Sequence, residues 1–263
     1  MGVVEGTVVR DVSAVLERLP AVRWPAPPGD ALIAHLHSLR PWLESMRAVA
    51  PSVDLARVRL RSPVASPGKV IAVRDNYDAV ADHADGPQRR VPELFLKAAS
   101  SVAGPGDGIE LFSAGRRVDH EVELAAVIGR RVERGTSPAA SDAVAGYCIG
   151  IDVTLRGPED RGLRKSLDGY TLLGPWLVTA DELQDPRGLE IELAIGPDVR
   201  QRGNTARMRH SVDALIAAAA AYMTLHPGDV IMTGTPSGVG SLVAGDAVHC
   251  AIERIGAMSV HVR

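Results

Sequence analysis

The chain has 263 residues, 46% hydrophobic and 23% charged, proportions that exclude a mostly disordered protein. Its 29 basic and 32 acidic side chains leave a formal charge of −3, so no basic field invites nucleic acid or an anionic membrane surface. Aromatic residues are only 3%, too few for a base-stacking platform, and the core must be built from Val, Leu, Ile and Ala.

Residues 1–7 carry no basic stretch followed by an apolar one, which argues against a secretory signal. After the Pro-rich residues 25–28, Asp30 is placed to cap a helix. Leu32, Leu36, Leu39, Leu43 and Met46 follow at steps of four and three, the stripe of an amphipathic helix that ends before Pro51. Residues 62–68, rich in Ser, Pro and Gly, read as a linker. They divide a small N-terminal domain, residues 1–66, from a larger one, residues 67–263.

Downstream the texture changes to short apolar runs at 70–73, 94–97, 122–128, 149–154, 189–195, 230–233 and 247–252, separated by Gly, Pro and Asp. One helix interrupts them at 210–225, opened by Ser211 or Asn204 and stopped by His226-Pro227-Gly228-Asp229. Many strands with few helices predict an α+β, β-rich chain with a mixed or antiparallel sheet. The longest apolar run, 214–223, is half the roughly 20 residues that a membrane span needs. Cys148 and Cys250 form no CxxC motif and read as buried thiols of a cytoplasmic protein.

Nucleophile-elbow, phosphate-loop and dinucleotide-binding glycine motifs are all missing from the sequence. The strongest chemical signal is Asp119-His120-Glu121-Val122-Glu123, entering an apolar run. In a strand Glu121 and Glu123 share a face, and paired carboxylates repel unless a cation neutralises them. Asp152 is a lone acid in the apolar run 149–154, where burial is costly without a partner. Glu121, Glu123 and Asp152 together make an all-oxygen site suited to Mg²⁺ or Mn²⁺, with Ca²⁺ also accommodated. His120 falls on the opposite face and is not counted as a ligand. Arg156, Arg161, Arg164 and Lys165 follow closely and suit a small anionic carboxylic acid. The Gly-rich turn 232–240 adds the Thr235 hydroxyl.

These blocks, in this order from residue 69 onward, resemble the fumarylacetoacetate hydrolase family. The resemblance rests on Lys69 to Val73 followed by Asn76-Tyr77, on Leu94-Phe95-Leu96-Lys97, and on 119–129, 146–156 and 165–168. It continues through 173–179, 200–205, 225–231 and Thr233-Gly234-Thr235-Pro236. It implies a mixed β-sandwich-roll catalytic domain, a homodimer, and a divalent metal held by Glu121, Glu123 and Asp152. It implies Lys165 as a catalytic cation and Tyr77, Arg156, Glu159 and Thr235 as substrate-binding residues. The implied reaction is metal-dependent C–C bond hydrolysis of a 2-oxo or β-diketo acid of the acylpyruvate kind, through a stabilised enolate. Decarboxylation, isomerisation or hydration of a related acid, and a non-catalytic metal-binding role, are the alternatives. Many hydrolases of the family carry a His three residues after the tyrosine and a Glu three further on. Here those positions hold Val80 and His83, so His83 is assigned the water-activating role, oriented by Asp82 or Asp85. Glu159 stands where the family often has Gln.

Overall fold

The computed structural model describes residues 1–77, 91–112 and 115–263. The apolar stripe near the N-terminus becomes the helix Ala31–Arg47, and the Asp30 side chain caps it by accepting the Ile33 N–H at 3.1 Å. The other Asp30 oxygen accepts the N–H groups of Ala65 and Ser66, both at 2.9 Å, so one carboxylate joins the helix start to the 62–68 stretch. Around this helix Gly2–Glu5, Val8–Asp11 and Ser52–Asp54 form a three-stranded antiparallel sheet, too short and polar to register as apolar runs.

The main sheet has seven strands in the order Leu94–Lys97, Val70–Val73, Val230–Met232, Val122–Ile128, Val144–Asp152, Thr171–Thr179 and Val102–Ala103. Two neighbouring pairs run parallel and the others antiparallel, giving the mixed sheet expected. Its two edge strands are consecutive in sequence, joined only through residues 98–101. So short a connection cannot cross a flat seven-stranded sheet, and the sheet curls until its edges meet. A hydrogen bond between the Ser101 and Thr171 hydroxyls, 2.7 Å, lies at that seam.

Strand alternation sorts the apolar side chains into two layers. Leu124, Ala126 and Ile128 pack outward against the four-stranded antiparallel sheet of Glu190–Ile195, Asp198–Asn204, Ala247–Ile252 and Gly256–His261, and against the helix Val212–Ala220. Ala125 and Val127 turn into the roll, with Ala72, Cys148, Val230, Met232 and the helical Ile33. Glu123 has the parity of Ala125, and Asp152 that of Cys148, so both carboxylates face into one end of the roll. The second helix is shorter than the 210–225 expected. Ser211 caps it, accepting the Ala214 N–H at 3.3 Å, and its alanine run ends in a turn at Ala221 before Leu225 pairs with Val132.

Candidate metal and substrate site

Glu121 sits in the break between the strands Val118–His120 and Val122–Ile128, and its carbonyl accepts the Asp152 N–H at 2.8 Å. Glu123 lies opposite Gly150, which contributes no side chain; a Cβ there would strike the Met232 side chain at 2.6 Å. Ligand atoms of Glu121, Glu123 and Asp152 lie within 4.8 Å of one another, the three residues the sequence nominated.

Three groups hold these carboxylates. The Gly234 N–H donates to Glu123 Oε2 at 2.7 Å, from a backbone with φ +87° where a Cβ would press on Asn76 at 2.8 Å. Lys165 Nζ donates to Glu121 Oε2 at 2.8 Å, Asp152 Oδ2 at 2.7 Å and the Thr154 hydroxyl at 2.7 Å. Lys97 Nζ donates to Asp152 Oδ1 at 2.6 Å and to the Tyr170 carbonyl at 2.8 Å. Lys165 comes from the end of the short helix Arg161–Arg164 and is buried.

Burial and crowding set the protonation states. Burial pushes the Glu123 carboxyl well above its ordinary range, and the charges of Asp152 and Glu121 push it further. Burial would raise Asp152 too, but Lys97 and Lys165 outweigh it and hold that carboxyl below its usual value. Burial lowers Lys97. For Lys165, burial is outweighed by Asp152 and Glu121, and its ammonium is held above the usual lysine range. Oxygen-only donors, a carboxylate that resists ionisation beside two others, and an ammonium already drawn among them fit a hard divalent cation.

The other nominated residues divide. Tyr77 is buried, and its hydroxyl has no hydrogen-bond partner among the described residues; burial and the nearby Glu123 charge raise its pKa. Arg156 donates through Nε to the buried Asp119 at 2.6 Å, and its Nη2 stands 3.6 Å from Glu121 Oε1. Thr235 donates its hydroxyl hydrogen to the Val122 carbonyl at 2.6 Å and accepts from Gln201 Nε2 at 2.7 Å, so its proton is already committed within the protein. Glu159 is taken up by Arg116 through two bonds of 2.8 Å, which lower its pKa to about 2. His120, not counted as a ligand, bonds through Nδ1 to Gln201 Oε1 at 3.0 Å. His83, Asp82 and Asp85 lie outside the described residues.

Lys97 and Gln201 escaped the residue-by-residue reading. Lys97 carried one signal, a lysine closing an apolar strand two positions after Phe95 and hence on the same face. Gln201, in a charged strand, bonds His120, Val122 N–H, Thr235 and the Pro236 carbonyl, and nothing local in sequence marks it.

Comparison with known proteins identifies the family. The fumarylacetoacetate (FAA) hydrolase C-terminal family model matches residues 69–263. A maleylpyruvate hydrolase of Aquipseudomonas alcaligenes is 47% identical over 275 residues, covering 100% of this chain and 96% of that protein. The mitochondrial oxaloacetate tautomerase fahd2 of Xenopus laevis is 38% identical over 217 residues, 78% of this chain and 68% of that protein. Among solved structures, the maleylpyruvate hydrolase of Sphingobium sp. SYK-6 in complex with manganese(II) and pyruvate superposes with a TM-score of 0.85 at 38% identity, covering 99% of this chain and 94% of that one. From its carboxylate-lined roll to its matched sequence, the chain belongs to the fumarylacetoacetate hydrolase family.

Proposed function

We propose that this chain is a divalent-metal-dependent acylpyruvate hydrolase, with Glu121, Glu123 and Asp152 as the residues that hold the metal. The observation that carries the reading is the meeting of three carboxylates and the Lys165 ammonium at one end of the roll. The full-length similarity to maleylpyruvate hydrolases supports the reaction class. Mn²⁺ or Mg²⁺ suits the oxygen donors, and the manganese in the Sphingobium structure favours Mn²⁺.

A bound divalent cation supplies Lewis acidity to the oxygens of a 2-oxo acid. Lys165 adds fixed positive charge in a water-poor setting, where charge developing on the keto oxygen is best stabilised. Tyr77 offers the substrate a hydroxyl that no described residue engages, and Arg156, held by Asp119, faces the acid end. His83 is the residue proposed to take the proton from water. In the balanced reaction, water oxygen bonds to the distal acyl carbon and the C–C bond to the pyruvate methylene breaks. The electron pair passes to the pyruvate side, which takes up a proton, and the products are a carboxylate and pyruvate. Glu159 and Thr235 support the pocket indirectly, through Arg116 and the Gln201 network.

We further read the chain as a cytoplasmic homodimer with residues 1–66 as a small N-terminal domain. No helix among the described residues is long and apolar enough to cross a membrane. Loss of acylpyruvate absorbance, followed with and without a chelator and restored by Mn²⁺, tests the activity. His83→Ala should cut it by about 10²–10⁴ while metal binding persists. The tautomerase relative keeps a second reading open, enol–keto isomerisation of a 2-oxo diacid at the same metal site.

A further inference from the structure

The cations around the site are not equally occupied. Arg156 is engaged by Asp119, Arg116 by Glu159, and Arg164 by the carbonyls of Leu155 and Glu159. Lys97 and Lys165 are spent on the carboxylates. Arg161 differs: no hydrogen bond or ion pair engages its guanidinium among the described residues. It is half-buried, and its Cζ lies 5.7 Å from the centroid of the Phe95 ring. Lys165 Nζ stands at the same distance from that ring. The phenyl ring is therefore a shared wall, with the metal-site lysine and Arg161 both resting on it. Burial, then the like charge of Arg74, disfavours the Arg161 cation, which no carboxylate among the described residues contacts directly. An unpaired, partly desolvated guanidinium is costly to keep, and an incoming anion would relieve that cost.

We infer that Arg161 is the specificity residue for a second carboxylate on the substrate, making the chain selective for acylpyruvates whose acyl group ends in an acid. This rests on the acylpyruvate reading and names its substrate class. The 2-oxo acid end occupies the carboxylate cluster, the chain of the acyl group runs past Phe95, and its terminal carboxylate meets the planar fork of Arg161. A guanidinium suits this task because it can hold a carboxylate through two parallel N–H bonds.

The test is calorimetric binding to the Mn²⁺-loaded protein of two ligands of equal length, 2-oxopimelate and 2-oxoheptanoate. Neither has the second carbonyl that hydrolysis attacks, so binding is read without turnover. The parent should prefer the diacid by about tenfold to a hundredfold, the range of one charged hydrogen-bonded pair. Arg161→Met should lose that preference and retain affinity for the monoacid, and Arg161→Lys should recover part of it. Equal affinities in the parent, or a preference that survives in Arg161→Met, overturn the assignment. Turnover of acylpyruvates is measured separately. A chain that prefers the diacid through Arg161 yet cleaves no acylpyruvate loses the reaction and keeps the site.

Discussion

Lys97 and Asp152 belong to strands from different parts of the curled sheet, yet their side chains meet 2.6 Å apart with almost no exposure to water. The pair is a consequence of closure. Lys97 ends an edge strand, and only when the sheet curls back does its ammonium arrive beside the fifth strand in the order. With Lys165 on the other Asp152 oxygen, the carboxylate is fixed from two sides and its free rotation is lost.

Removing Lys97 should therefore damage the fold before the chemistry. Breaking a buried ion pair by deleting one partner typically costs about 3–5 kcal/mol, because the other charge is left stranded. Lys97→Met is expected to lose stability on that scale in chemical denaturation. A loss below about 1 kcal/mol would mean that the roll holds Asp152 without it.

Glu123→Gln should separate metal binding from folding. The amide oxygen can still accept the Gly234 N–H, while the charge crowded against Asp152 and Glu121 disappears. Calorimetric titration with Mn²⁺ should show no binding heat, and the metal-free variant should melt no lower than the parent. Retained affinity would remove Glu123 from the ligand set.

The same crowding has a pH signature. The folded Glu123 carboxyl is raised above its unfolded value, so its contribution to stability is fully present below the ordinary carboxylate range and is lost as pH rises through the raised folded value. Asp152 acts oppositely: held low, it stabilises above the ordinary range and is lost only as pH falls through its lowered value. The metal-free parent should lose melting temperature as pH rises from the ordinary carboxylate range through the raised Glu123 value, and Glu123→Gln should flatten the decline. A parallel decline in both proteins would assign the effect to other groups.

Much of this site is legible in the sequence because strand alternation is a local rule. Glu121, Glu123 and Asp152 are acids whose neighbours are apolar, and that contrast survives without any knowledge of tertiary contacts. Lys97 is not legible in the same way, since its partner depends on which strands become edges and how far the sheet curls. The strand Thr171–Thr179 is hidden for a different reason. Pro175 stands inside it, and the structure tolerates this because the pairing with Val144–Asp152 shifts register between Gly174 and Val178. Asp198–Asn204 is obscured by its exposed charges, although Gln201 within it organises the turn at Thr235.

Lys165 shows how burial changes an expectation. From its polar neighbours, Lys165→Ala should lose rate and leave the melting temperature almost unchanged. The structure makes it the shared donor to Glu121, Asp152 and Thr154, so the metal-free variant should also lose stability. The expected turnover loss is about 10²–10³ in kcat. Saturating Mn²⁺ should restore much of the melting temperature and none of the rate. Full rate in the loaded variant would reduce Lys165 to a structural counter-ion.

In the proposed reaction, water cleaves a carbon–carbon bond at the carboxylate cluster. Turnover of an acid-terminated acylpyruvate by the Mn²⁺-loaded protein in ¹⁸O-water, read by mass spectrometry, tests it most directly. Hydrolysis predicts pyruvate together with an acyl-derived carboxylate bearing one ¹⁸O from solvent. Release of CO₂ with no label in a carboxylate product, or a substrate rearranged at unchanged mass, would contradict it.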